Sequence, residues 1–160
     1  MKEFVVLGLL RISMGFIFLW AFLDKTFGLG FSTISEKSWI NGTSPTLGFL
    51  KNASYGPLKI FYNAIAGNIT VDWLFMLGLL LIGLCLILGI GIRIASISGI
   101  VMMLLMWSSM LLPKNNPLID EHIIYAIIFV LLILFDSGNY FGLGKKWKNF
   151  RFVKKYKFLK

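Results

Sequence analysis

Four stretches of the chain are apolar enough to span a bilayer, and nearly all of its charge lies outside them. They cover about residues 4–23, 73–92, 94–112 and 122–139, the last an apolar run from Ile123 to Phe135 with polar ends. Each offers about 18–20 residues, roughly what a helix needs to cross a ~30 Å hydrocarbon layer. The expected fold is all-α: a four-helix transmembrane bundle over residues 1–144, with a long, partly helical outer loop (24–72) and a basic tail (145–160). Only 14% of the residues are charged, and 160 residues leave no room for a second folded domain. Pro45, Pro57, Pro113 and Pro117 all fall between the spans, where a missing backbone donor is harmless. Glu3 and Arg11 interrupt the pattern of a cleaved signal, so the first stretch reads as a true span.

Orientation follows from the basic residues. Of 16 lysines and arginines, eight crowd the last sixteen positions, and no acid accompanies them. Positive charge is retained in the cytoplasm, so the C-terminus is expected inside. Four spans return the N-terminus to the same side, put Arg93 in a tight inner hairpin and send loop 24–72 to the outside. Trp20, Trp73 and Trp107 then sit near the outer ends of their spans, as an interfacial aromatic belt would. The tail itself reads either as a nucleic-acid patch or as an electrostatic anchor on anionic headgroups. Its position directly after a span and its interleaved aromatics favour the lipid bilayer, with no nucleic acid.

The outer loop is too aromatic for a plain connector. Leu58, Phe61 and Ile65 repeat at helical spacing behind Pro57, which predicts a short helix over 57–66, either a lid on a site or a packing cap. Three glycosylation triplets begin at Asn41, Asn52 and Asn68, all on the outer side of this topology.

The rare residues exclude much chemistry. Cys85 is the only cysteine and His122 the only histidine. A dithiol, an iron–sulfur ligand set, a bis-histidine haem or a zinc site made by this chain alone is excluded, so no metal or haem is expected. Phosphate-binding loops, Ser-His-Asp sets and dinucleotide fingerprints are absent from the sequence.

The remaining polar residues form two layers. Arg11 lies about two turns inside the first span and Asp136 near the inner end of the fourth, at similar depth. An ion pair between them is the expectation, either structural or part of a quinone or proton path. Gly8, Arg11 and Gly15 share one helical face, and His122, Tyr125, Phe129, Leu132 and Asp136 share another; both are expected to face the bundle. The outer layer gathers Asp24, Lys25, Lys114, Asp120, Glu121 and His122. These are either solvated helix ends or a polar mouth, in which Lys25 and Lys114 attract an anion and Asp120, Glu121 and His122 exchange protons.

Three segments carry a likeness to a known family. They are Arg11, Gly15 and Lys25 in the first span; Gly83, Gly89 and Arg93 around the second; and Asn116-Pro-Leu-Ile-Asp120-Glu-His122 with Tyr125 at the fourth. In this order they resemble the DoxX/DoxD group of four-span membrane proteins over nearly the whole chain. The long loop, with Trp39-Ile-Asn-Gly42 and Gly56-Pro57, is most similar to DoxD, the large subunit of thiosulfate:quinone oxidoreductase. One departure stands out: Leu79–Ile82 lacks the acid that many DoxX proteins carry before the glycine pair. The resemblance implies oxidation of thiosulfate to tetrathionate coupled to quinone reduction, with quinone as electron acceptor. It also implies a DoxA-like small subunit with its soluble part outside. The competing expectation is a non-catalytic subunit anchoring a terminal quinol oxidase. A small transporter fits less well, since inverted repeats and broken helices are lacking.

Overall fold

The computed structural model describes residues 2–113, 116 and 118–159, without the side chain of Lys157. Among these residues every regular element is helical. The order is α1 (Lys2–Phe27), α2 (Lys59–Ile65), α3 (Ile69–Leu88), α4 (Ile92–Ser109), α5 (Glu121–Leu134), α6 (Gly144–Asn149) and α7 (Arg151–Lys155), with short 3₁₀ or π turns between. Three helices, α1, α3 and α4, are long and apolar enough to cross a membrane. The fourth apolar helix, α5, has 14 residues, or roughly 21 Å of rise.

Two antiparallel pairs make the body of the molecule: α1 against α3, and α4 against α5. Small residues let the first pair approach closely. A Cβ on Gly15 would lie 2.9 Å from the Ile87 nitrogen, and one on Gly83 would lie 2.7 Å from the Leu19 nitrogen. In the second pair Gly99 accommodates the Phe129 ring. Met14, Phe18, Met76, Leu79, Ile82, Leu86, Met103, Phe129 and Leu132 fill the centre. The outward faces remain apolar: Val6, Leu9, Phe16, Leu81 and Leu105 are all more than half exposed. Lipid solvates such a surface and water does not.

The end of α3 depends on Arg11. An α-helix leaves its last four carbonyls without helical partners. Here each has a donor. Gly89 N bonds Cys85 O at 2.9 Å and, more weakly, Leu86 O at 3.3 Å. The Arg11 guanidinium donates to Leu86 O and, at 3.0 Å, to Ile87 O. Leu143 N closes the series on Leu88 O at 2.8 Å. The other arm of the guanidinium donates to Tyr140 O at 2.8 Å and Phe141 O at 3.0 Å. One fully buried side chain thus ties α1 to the C-terminus of α3 and to the segment after α5. Its charge sits where the helix dipole is negative. Gly89 (φ +73°) makes the left-handed turn that ends α3, and a Cβ on Gly142 would fall 2.7 Å from Gly138 O and 3.0 Å from the guanidinium.

The expected Arg11–Asp136 pair does not form. Helix α5 stops at Leu134, and Asp136 adopts φ +51°. That turn breaks the register that would have kept Asp136 one turn beyond Leu132 on the buried face. Its side chain is 53% exposed, bonded to Lys148 Nζ and to Asn139 Nδ2 at 2.8 Å. The fourth apolar helix is accordingly shorter than the span 122–139. His122, Phe129 and Leu132 are buried and Tyr125 is half-buried, so the rest of that face is as expected.

Replacing Arg11 by Met is therefore expected to cost about 3 kcal/mol or more, because several buried carbonyls lose their donor at once. Lysine should rescue little, since it lacks the planar fork. Asp136→Ala should lie within about 0.5 kcal/mol of wild type. Denaturation of the single and double variants in detergent tests this: additive losses support the carbonyl cradle, whereas a large coupling between positions 11 and 136 would contradict it.

Candidate functional site

The loop between α1 and α3 is pinned by two buried acids. Asp24, in the last turn of α1, accepts bonds from Phe31 N (3.2 Å), Ser32 N (2.9 Å) and Ser32 Oγ (2.6 Å). The chain reverses over it through Gly28 at φ +66°, where a Cβ would strike the Ser35 backbone. Asp72, in the first turn of α3, accepts from Ser44 Oγ (2.8 Å) and Thr46 Oγ1 (2.5 Å). A third tie is backbone to backbone: Tyr55 N donates to Ser109 O at 3.0 Å, beside Gly56 packed on Leu111 O. The hydroxyl of Tyr62, buried on α2, donates to Leu105 O (3.0 Å) and shares a hydrogen bond with Ser108 Oγ (2.5 Å). Helix α2 begins two residues after Pro57, close to the predicted start, and is held down on α4.

Beneath this roof lies a cavity of about 700 Å³ between α3 and α4. Its walls are almost entirely apolar, including Phe49, Phe61, Phe75, Ile82, Val101 and Met106. Gly78 leaves room at the seam, where a Cβ would meet the Met102 methyl at 2.4 Å. Leu74 (69% exposed), Leu105 (54%) and Val101 (52%) line the cavity and also face outward, so it opens sideways onto the apolar surface. Its charged wall residue is Lys25. Among the described residues the Lys25 ammonium has no hydrogen bond or ion pair, although Asp24, adjacent in the chain, supplies an attractive charge. A cation among so many apolar walls weakens the fold unless something binds it.

A second, polar cavity of about 550 Å³ lies at the same end of the helices, lined by Asn52, Tyr55, Lys59, Asn116, Asp120 and Glu121 among others. Asp120 caps α5: one carboxylate oxygen accepts from His122 N (3.0 Å) and Ile123 N (3.3 Å), and the other lies 2.9 Å from His122 Nδ1. That contact fixes the buried imidazole. Asp120, Glu121 and His122 can each bring a ligand atom within 4.8 Å of the others. Both Asp120 oxygens are thereby engaged, one in capping α5 and the other in holding the His122 ring.

The polar residues expected to gather in one mouth are divided instead. Asp120, Glu121 and His122, adjacent in the chain, lie together, whereas Lys25 belongs to the apolar cavity, and the loop segment 49–55 contributes to both. Asp24 is committed to Ser32 and the turn above it, so it braces the loop. Lys114 lies outside the described residues. Asn41, Asn52 and Asn68 are all exposed, with the Asn41 amide on Ser35 O (2.7 Å) and Asn68 capping α3 through Thr70 N (2.9 Å). Sequence reasoning passed over Asp72. The available signal was an acid in the first turn of a span, behind the capping Asn68, with hydroxyls at Ser44 and Thr46 to receive it.

Loss of Asp72 to alanine should destabilise the protein by about 1–3 kcal/mol through two stranded hydroxyls and a loosened loop. Protease cutting between residues 30 and 50 should accelerate in Asp24→Ala and Asp72→Ala. Lys25→Met, by contrast, should hold or raise the unfolding midpoint, the mark of a residue kept for binding. A fall as large as that of Asp72→Ala would make Lys25 a structural residue.

Comparison with family models, with curated proteins and with solved structures returned no match.

Proposed function

We propose that the chain is a DoxD-like member of the DoxX/DoxD group and the membrane subunit of a thiosulfate:quinone oxidoreductase. In this reading α5 and the turn after it complete a four-helix transmembrane bundle, both termini are cytoplasmic, and the loop 28–68 is outside. The single observation that carries it is the apolar cavity holding Lys25 and opening sideways between α3 and α4. A quinone reaches its site from within the bilayer, so its tail needs an apolar, laterally open groove and its ring oxygens need a donor. Leu74, Val101 and Leu105 offer the groove, and Lys25 offers the donor. As two electrons arrive, negative charge grows on the ring oxygens, and a preorganised ammonium in apolar surroundings stabilises it.

The reaction balances simply. Two thiosulfate dianions give one tetrathionate and two electrons; a quinone takes those electrons and two protons to become quinol. The protons have a source in His122, held by Asp120, and in Glu121 at the polar cavity. Lys59 there suits an incoming dianion. A DoxA-like partner with an outer soluble part would complete the thiosulfate side. The second reading, an anchoring subunit of a terminal quinol oxidase, is favoured by the chain's single cysteine and single histidine, which allow neither a dithiol nor a bis-histidine haem within it.

Quinone-analogue reduction by thiosulfate in the reconstituted complex tests the proposal. Lys25→Met should raise KM for the quinone several-fold, and Val101→Trp, which fills the groove, should abolish turnover in a folded protein. His122→Ala should lower kcat by about 10²-fold as a proton donor is lost. Wild-type kinetics in all three would remove the site. Absence of turnover with the partner bound, while oxidase assembly depends on this chain, would favour the anchoring role.

A further inference from the structure

The chain beyond α5 is a folded platform rather than a loose tail. Gly144 starts α6 with no side chain between it and Gly138, where a Cβ would lie 2.5 Å from the carbonyl oxygen. Trp147 Nε1 donates to Leu159 O at 2.7 Å, Val153 is almost fully buried, and residues Lys157–Leu159 pack on α4. Lys148 is spent on Asp136.

Much of the platform's surface is apolar, its exposed rings touching one another and Trp147. Phe150 (62% exposed), Phe152 (65%) and Phe158 (58%) project from it. Lys145, Lys146, Arg151 and Lys154 of the same segment are all exposed and without an ion pair among the described residues. Lys155 adds a cation 5.5 Å above the Tyr156 ring. Not one acid occurs from position 145 onward. Ordered cations alternating with exposed rings suit a surface that is negative at phosphate level and apolar just beneath. Nine residues separate the platform from the apolar helix α5, and Arg93, exposed in the first turn of α4, lies at the same end of the molecule.

From this charge complementarity we infer that residues 144–159 form a binding face for anionic phospholipid headgroups, and that its occupancy stabilises the bundle. The stabilising link runs through Tyr140 and Phe141. Their carbonyls hold Arg11, and they lie between α5 and the platform, so fixing the platform on a membrane also fixes the cradle at the end of α3. This inference is independent of any quinone chemistry.

Thermal unfolding of the full chain in lipid nanodiscs provides the test. Replacing part of the phosphatidylcholine by phosphatidylglycerol should raise the midpoint, and high salt should erase the gain. The variant Lys145→Gln/Lys146→Gln/Arg151→Gln/Lys154→Gln should unfold like wild type in phosphatidylcholine but lose the gain, with binding of short-chain phosphatidylglycerol weakened roughly tenfold or more. Lys37→Gln/Lys51→Gln, which removes two loop cations, should keep it. If the fourfold variant does not fold, the pair Lys145→Gln/Lys154→Gln should lose about half the gain. An equal gain in the platform variants and the loop control would overturn the inference, as would a duplex oligonucleotide stabilising the wild type more than phosphatidylglycerol.

Discussion

The structure hangs on one cation without a counter-ion. Arg11 is buried to zero exposure, yet no carboxylate meets it among the described residues. Its charge is balanced by dipoles: the free carbonyls that end α3 and those of Tyr140 and Phe141. In an apolar medium those carbonyls have no water to turn to, so the arginine and the helix end solve each other's problem. Two consequences follow. The α1–α3 pair is locked in register by a polar contact at one end, where apolar packing alone would allow sliding. The segment after α5 cannot leave without stranding two of the four bonds.

At the other end of the helices acids do the equivalent work. Asp24 and Asp72 spend their carboxylates on hydroxyls and backbone of the α1–α3 loop, and Asp120 caps α5 while fixing His122. These three acids are consumed by structure, and Lys25 lines an apolar cavity with no hydrogen bond or ion pair among the described residues. A cation without a bond on an apolar wall is informative in its own right. It directs the proposed chemistry toward a ligand that is largely apolar and carries an acceptor at one end.

The helices were legible in the sequence because length and apolarity suffice to mark them. Helices α1, α3 and α4 fall within a few residues of the expected stretches, and the shared face of Gly8, Arg11 and Gly15 is buried as spacing implied. The tethers were not legible. Matching Arg11 with Asp136 assumed that α5 stays helical to position 136, but a left-handed residue at Asp136 redirected its carboxylate outward. A chain of carbonyl acceptors has no sequence signature of its own, since every residue carries one. The nearest hint was the glycine series Gly89, Gly138, Gly142 and Gly144, which leaves the space the guanidinium and its backbone partners occupy. The polar layer at the loop end likewise split in two because depth along a helix says nothing about which side of the bundle a side chain joins.

The seat of the quinone is the claim on which the functional account turns, and a photoreactive quinone analogue tests it directly. Irradiated with the chain in membranes and mapped by mass spectrometry, it should label the cavity walls on α3 and α4 around Leu74, Gly78, Val101 and Leu105. Excess unlabelled quinone should suppress that labelling, and so should Lys25→Met. Labelling spread evenly over the lipid-facing surfaces of all the helices, unaffected by competitor or by Lys25, would contradict the account.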